Sequence, residues 1–226
     1  MKKEKIKEIK TPFKELTFDQ KVTHIIQYYK YYFLAASIII VAVASFVNSY
    51  KRNDFDTDCS IVVVDGKMTG YDDHSDYITT NFASYLGIDN KKHRVICNYN
   101  YSLLEQFLDN EAQVSRTKIY TLASTHSMDG YLAPIDYIDY FSTDAEPFLE
   151  DLREILTAEQ LSKIGEENII YYTKKDGTSI PIAVNLSHTK IKTDTDFTME
   201  SPCYGVVVSA AHPEAAVSFI RFAFDL

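Results

Sequence analysis

The feature that most constrains this chain is a long run without a charge. From Tyr31 to Tyr50, twenty consecutive residues (YYFLAASIIIVAVASFVNSY) include no Asp, Glu, Lys or Arg. As an α-helix rising ~1.5 Å per residue, they extend ~30 Å, the thickness of a bilayer's hydrocarbon core. Lys30 precedes the run, and Lys51 and Arg52 follow it. Tyr28, Tyr29, Tyr31 and Tyr32 crowd one end and Tyr50 stands at the other, where amphipathic rings settle among lipid headgroups. A buried helix of a soluble protein is the alternative, but such helices rarely run this long without a polar face. The sequence predicts an N-terminal transmembrane helix over 31–50.

Charge orients this helix. Residues 1–54 hold ten Lys and Arg against five Asp and Glu, whereas the remainder holds thirteen against twenty-seven. Eight lysines precede the run and two basic residues follow closely. The positive-inside rule then puts the N-terminus in the cytoplasm and the acidic C-terminal part outside the cell membrane. Ala42-Val43-Ala44 fits a signal-peptidase pattern, so cleavage after Ala44 is a competing reading. About thirty residues precede the run, too many for an ordinary n-region, and the run continues through Phe46 and Val47. An uncleaved, single-pass signal-anchor is expected. Cys59 follows Thr57-Asp58 and not a small apolar lipid-attachment motif. Thr17 and Gln20 have capping-box spacing, which starts a helix at Phe18. Phe18, Val22, Ile25, Ile26 and Tyr29 recur at helical spacing. That stripe suits a bare juxtamembrane helix, the membrane surface or a partner protein.

Residues 51–58 read as a polar linker and 59–226 as an extracytoplasmic α/β domain. Cys59–Val64 is a continuous run of strand formers ending at Asp65-Gly66, typical of a strand buried on both faces. Ser75 or Asp76 caps a helix that Gly87 ends. Arg94–Tyr99 is a second strand, and Ser102 opens a helix carrying Leu103, Leu104, Phe107 and Leu108. Lys118–Ala123 is a third apolar stretch, Tyr131–Phe141 a short helix or strand, and Phe148–Leu156 and Ala158–Ile164 two short helices. Ile169–Thr173 and Ile180–Val184 flank Lys174-Lys175-Asp176-Gly177, a hairpin signal. Tyr204–Val208 is a closing strand, and Pro213 suits the first turn of a last helix. Alternating strands and helices imply an α/β sheet with crossovers. The segment 124–200, with its own hairpin, reads as a smaller lobe beside a main lobe of 59–123 and 201–226.

The end of the chain carries a resemblance. Gly205-Val206-Val207-Val208-Ser209-Ala210-Ala211-His212-Pro213-Glu214-Ala215-Ala216, continued by Val217-Ser218-Phe219-Ile220-Arg221-Phe222, resembles the closing strand and aromatic-rich helix of extracellular solute-binding proteins. Met128-Asp129-Gly130 resembles the stretch where that family enters its second lobe, and Phe148–Leu152 resembles an Asp-Leu helix start. The whole chain is similar to small membrane-anchored proteins of Gram-positive (Firmicutes) bacteria. The resemblance implies a reduced, two-lobed, periplasmic-binding-protein-like α/β domain. With about 170 residues outside the membrane, part of the second lobe is missing and the cleft is shallow. Asp129, Tyr131, Tyr137 and Tyr204 fall near the implied cleft, and aromatic faces with polar tips suit a sugar or peptide.

No motif commits the chain to catalysis: G-x-S-x-G, H-E-x-x-H, a phosphate loop and paired C-x-x-C are all absent from the sequence. Asp72, Asp73, His74 and Asp76 form the densest group of ligand-type residues. They lack the calcium-loop spacing and read as a solvated turn, as do Asp194 and Asp196. Ser124, His126, Ser127 and Asp129 place acid–base types close together in a loop. Cys59 and Cys97 lie on neighbouring strands, where a bridge is possible, but buried free thiols are expected for all three cysteines, Cys203 included. A net charge of −9 argues against a nucleic-acid partner, since phosphate contacts need Lys and Arg. The expectation is a non-catalytic, membrane-tethered binding module without cofactor or metal, holding a small ligand or an envelope protein. The alternatives are a structural or assembly protein with a vestigial cleft, and a hydrolase with a discontinuous site.

Overall fold

In a computed structural model, residues 17–67, 76–89, 92–104, 110–145, 147–195 and 197–226 are described. The chain divides into two compact units, Met1–Asp54 and Phe55–Leu226.

Among the described residues the first unit is one helix, α1 (Phe18–Asn53), begun at the residue that the Thr17 signal predicts. Its stretch Tyr28–Lys51 is long and apolar enough to cross a membrane. The helix continues past the uncharged run to Asn53, and the first strand starts at Asp56. The linker expected over 51–58 therefore shrinks to Asp54 and Phe55. Lys51 and Arg52 are good helix formers and prolong the helix by another turn.

The second unit is a mixed α/β domain. Its strands are β1 (Asp56–Val64), β2 (His93–Tyr101), β3 (Gly130–Pro134), β4 (Ile169–Thr173), β5 (Ser179–Asn185) and β6 (Pro202–Val206). They form one six-stranded sheet in the order β2-β1-β3-β6-β5-β4. β1 runs parallel to β2 and β3, and the other pairings are antiparallel. The continuous apolar run of β1 is buried on both faces. Cys59, Ile61 and Val63 enter one core, whereas Val62 and Val64 enter the other, as side-chain alternation along a strand requires. The segment 124–200, expected as a separate lobe, contributes β3, β4 and β5 to this same sheet.

Helices cover both faces. On the first face α2 (Tyr77–Leu86) and α7 (Pro213–Phe224) pack together through Phe82, Phe219 and Phe222. Asp76 caps α2 by accepting from Thr79 N–H at 2.9 Å, and Gly87 ends it at φ 74°. The short helices α4 (Leu152–Ile155), α5 (Ala158–Ile164) and α6 (Lys190–Thr193) add Leu152, Ile164 and Ile191 to this core. On the second face α3 (Glu111–Ser124) presents Ile119 and Ala123 beside Met128, Ile138 and Phe148.

Two sequence expectations shift here. Lys118–Ala123 is the latter half of α3, with Ala112, Ser115, Ile119 and Ala123 buried at helical spacing. The helix expected from Ser102 starts nine residues later, at Glu111. Leu103 is fully buried outside any helix, its N–H donating to Asp65 Oδ2 at 2.9 Å; Phe107 and Leu108 lie outside the described residues. The β4–β5 hairpin forms where Lys174–Gly177 predicts it, with Gly177 at φ 84°.

Candidate functional site

The connections define where a site can form. The β1–α2–β2 crossover passes over the first face, and the β2–α3–β3 crossover passes over the second. The carboxyl ends of β1 and β3 thus flank a topological switch point, the place where open α/β sheets hold ligands. At this end of β1 and β2 lies a cleft of about 420 Å³, lined among others by Asp65, Lys67, Asn100, Ser102, Glu111 and Thr198.

Local hydrogen bonds build its floor. Asp65, in the left-handed region at φ 52°, donates its N–H to Tyr101 O at 3.0 Å. With its bond from Leu103 N–H, it ties the end of β1 to the end of β2. Lys67 N–H donates to Thr198 Oγ1 at 3.1 Å, and Thr198 N–H returns to Lys67 O at 3.0 Å. Ser102 N–H donates to Ser115 Oγ of α3 at 3.1 Å. Gly66 is required by close approach: a Cβ there would stand 2.8 Å from the buried Phe197 ring. The cleft presents carboxylates, an ammonium, an amide and hydroxyls. These are donors and acceptors for a polar solute; among the described residues that line it there is no His beside a Ser or Cys nucleophile.

The four residues expected near a cleft lie elsewhere. Asp129 is 2% exposed and sits at the amino end of β3, beside the middle of β1. Its Oδ2 accepts from Ser60 N–H at 2.8 Å and its Oδ1 from His212 N–H at 2.7 Å. Its own N–H donates to Ser60 O, and its carbonyl accepts from Val207 N–H. One buried carboxylate thereby binds β1, the entry to β3 and the start of α7. Tyr131 is fully buried, its rim against Phe141 and Phe148 and its hydroxyl donating to Tyr137 O at 3.2 Å. Tyr204 is fully buried against Phe219 and donates to Ala216 O at 3.0 Å. Tyr137 is half-buried and tilts against Tyr140. Burial holds the Tyr131 and Tyr204 hydroxyls well above the ordinary tyrosine range. In this structure Asp129, Tyr131 and Tyr204 hold the fold together and offer no open face to a ligand.

The loop of acid–base types is also occupied by local bonding. His126, at φ 54°, pairs Nδ1 with Ser209 O at 2.7 Å. Ser124 donates to Tyr120 O, and Ser127 Oγ bonds with Thr125. The side chain that meets Asp129 is His212, with Nδ1 at 3.4 Å. Asp72, Asp73, His74 and Asp196 lie outside the described residues, and Asp194 accepts from Thr193 Oγ1. Among the described residues no group of three or more His, Cys, Asp or Glu side chains is placed to hold a metal ion.

The three cysteines are free and buried. Cys59 and Cys97 share the first core, and Cys203 lies in the second. Burial raises the thiols of Cys59 and Cys97 well above their usual range, helped by Asp129 beside Cys59 and Asp76 beside Cys97. Burial pushes Cys203 up to about 12. Thiols kept protonated in this way are poor nucleophiles and poor metal ligands.

The sequence marks Asp65-Gly66 as a turn, but nothing local shows that Asn100, Glu111 and Thr198 converge beside it. Comparison with protein-family models, with curated proteins and with solved structures finds no match to this chain.

Proposed function

We propose that the chain is a membrane-tethered, non-catalytic binding module. In this reading α1 spans the cell membrane with the N-terminus in the cytoplasm and holds the α/β domain outside. The domain is a reduced relative of the solute-binding-protein fold, a resemblance carried by the Gly205–Phe222 segment. The placement of β6 antiparallel beside β3, with α7 packed behind them, supports that reading. The ligand is a polar solute of sugar or short-peptide size, bound in the cleft at the carboxyl ends of β1 and β2.

One observation carries this proposal: a polar cleft at the carboxyl ends of two parallel strands, β1 and β2, with Asp65, Lys67 and Asn100 converging on it. Exposed Val114, Tyr120 and Tyr140 favour a second reading, in which the domain binds an envelope protein through this surface and the cleft is vestigial.

Thermal unfolding of the full chain in detergent, against sugars, oligopeptides and amino acids, tests the choice. A ligand present at 100 times its Kd adds ~2.7 kcal/mol, or roughly 5–11 °C for a domain of this size. Lys67→Ala and Asn100→Ala are expected to reduce the shift while leaving the unliganded midpoint in place. Cooperative unfolding with no shift across the panel would sink the small-ligand reading in favour of the protein partner.

A further inference from the structure

The helix α1 carries more than a hydrophobic span. Phe18, Val22, Ile26, Tyr29, Phe33, Ala36, Ile40, Val43 and Val47 succeed one another at intervals of four or three. Their mean spacing matches the ~3.6 residues of a straight α-helical turn, so they stay on one line along the helix. Every one is apolar or aromatic, and the larger ones are exposed: Phe18 at 80%, Ile26 at 58% and Ile40 at 68%. A shallow groove bordered by Ile40, Val43, Ala44 and Val47 lies along this same line.

The first turns of this line precede the span Tyr28–Lys51. Lipid covers an apolar face inside the bilayer, but it covers Phe18, Val22 and Ile26 only if the helix bends onto the membrane surface. Between Phe18 and Asn53 there is no Pro or Gly, and the helix is unbroken. Sharp kinks need such a residue or an inserted group. These turns therefore project along the axis of the span and into water, with Phe18, Val22 and Ile26 exposed among the described residues.

We infer that this line is the contact face of a parallel pair of α1 helices from two copies of the chain. The inference rests on the membrane-spanning reading above, because a common membrane orientation sets identical residues at the same depth. A two-fold axis along the pair then brings each residue of the line against its own counterpart, as a closed dimer requires. The exposed side chains on the line, with ~150–250 Å² for each aromatic, offer on the order of 600–800 Å² per helix; a pair therefore reaches the 1,200–2,000 Å² of stable interfaces. Ala36 and Ala44 let the backbones approach within the lipid, where close packing and not hydrophobicity drives association. In water the exposed Phe18, Val22 and Ile26 add a hydrophobic drive that lipid does not supply.

Cysteine cross-linking of the full chain in lipid vesicles tests this. The three native thiols are buried in the domain, so an introduced cysteine reports alone. Val22→Cys and Val43→Cys lie on the line, whereas Thr23→Cys and Ile38→Cys lie away from it. The expected result is disulfide-linked dimer forming several-fold faster at the first two positions, unchanged when the vesicles are diluted with lipid. Equal rates at all four positions, or rates that fall with lipid dilution, would overturn the pairing. So would cross-linking of Val22→Cys to other membrane proteins in preference to itself. An alkaline wash separates the underlying reading: release of the chain from the vesicles removes the membrane span and the pairing together, whereas retention with equal rates removes the pairing alone.

Discussion

Removing the Asp129 carboxylate is the sharpest test of how this domain is held together. Two backbone donors, Ser60 N–H and His212 N–H, end on its two oxygens at 2.8 and 2.7 Å. The side chain is 2% exposed, so both bonds end on an acceptor shielded from water. Asp129→Ala leaves both unsatisfied, and each such group costs about 1–3 kcal/mol. The total of about 2–6 kcal/mol lowers the Tm of a domain of about 170 residues by roughly 4–24 °C. His212→Ala is the matched control. It keeps the backbone bond and loses a ring that is 45% exposed and only 3.4 Å from Asp129 Oδ2, an exposed pairing worth less than ~1 kcal/mol. Asp129→Asn keeps one acceptor but turns an amide N–H toward the other donor, so it falls between the two. Calorimetry of the full chain and its variants in detergent reads all three. If Asp129→Ala unfolds within 1 °C of the parent, or if His212→Ala costs as much, then this carboxylate does not fasten β1 to α7 and the argument fails.

Asp76 gives a pH signature. Burial raises its carboxyl above the ordinary value, a rise partly opposed by hydrogen bonds from Thr79 and Tyr99. The folded chain then holds this proton more tightly than the unfolded one, so the group's contribution falls as pH rises from ~3.9 through the raised folded value. Asp76→Asn keeps a capping oxygen and is expected to remove that fall. Asp76→Ala loses the cap of α2 and costs ~1 kcal/mol across the pH range; denaturant melts at several pH values separate the two, and parallel pH profiles for parent and Asp76→Asn would refute the assignment. Gly66→Ala forces a methyl against the buried Phe197 ring and is expected to cost about 1–3 kcal/mol, with weaker ligand shifts; an unchanged melt would show that the Phe197 side of the cleft yields freely. Cys59, Cys97 and Cys203 are expected to resist a thiol reagent at pH 8 in the folded chain and to react fully in denaturant, and rapid labelling of any one in the native state would contradict its burial.

The parts of the fold legible in the sequence are those fixed by neighbouring residues. Asp76 and Gly87 bound α2 because a side-chain acceptor and a left-handed residue act within one helical turn. Lys174–Gly177 closes a hairpin for the same local reason. Pro213 begins α7 because its missing N–H is unneeded there. The misplaced element is equally instructive. Ser102-Leu103-Leu104 carries a helix-like pattern, but Asp65, thirty-eight positions earlier, takes the Leu103 N–H and holds the segment outside any helix at the cleft. Tertiary contact overrides a short local preference.

Sequence by itself therefore determined the apolar helix, the buried central strand, the helix caps and the α/β class, since each depends on spacing along the chain. Only the tertiary structure decided that 124–200 joins the same sheet, that Asp129, Tyr131 and Tyr204 are internal fastenings, and that the open polar cleft lies at the carboxyl end of β1. Those outcomes rest on contacts such as Asp129 with His212 and Lys67 with Thr198, separated by 83 and 131 positions. Which distant partner satisfies a buried polar group is settled by how the sheet and its covering helices pack. A residue's type announces that it needs a partner; the fold supplies the partner, and with it the role.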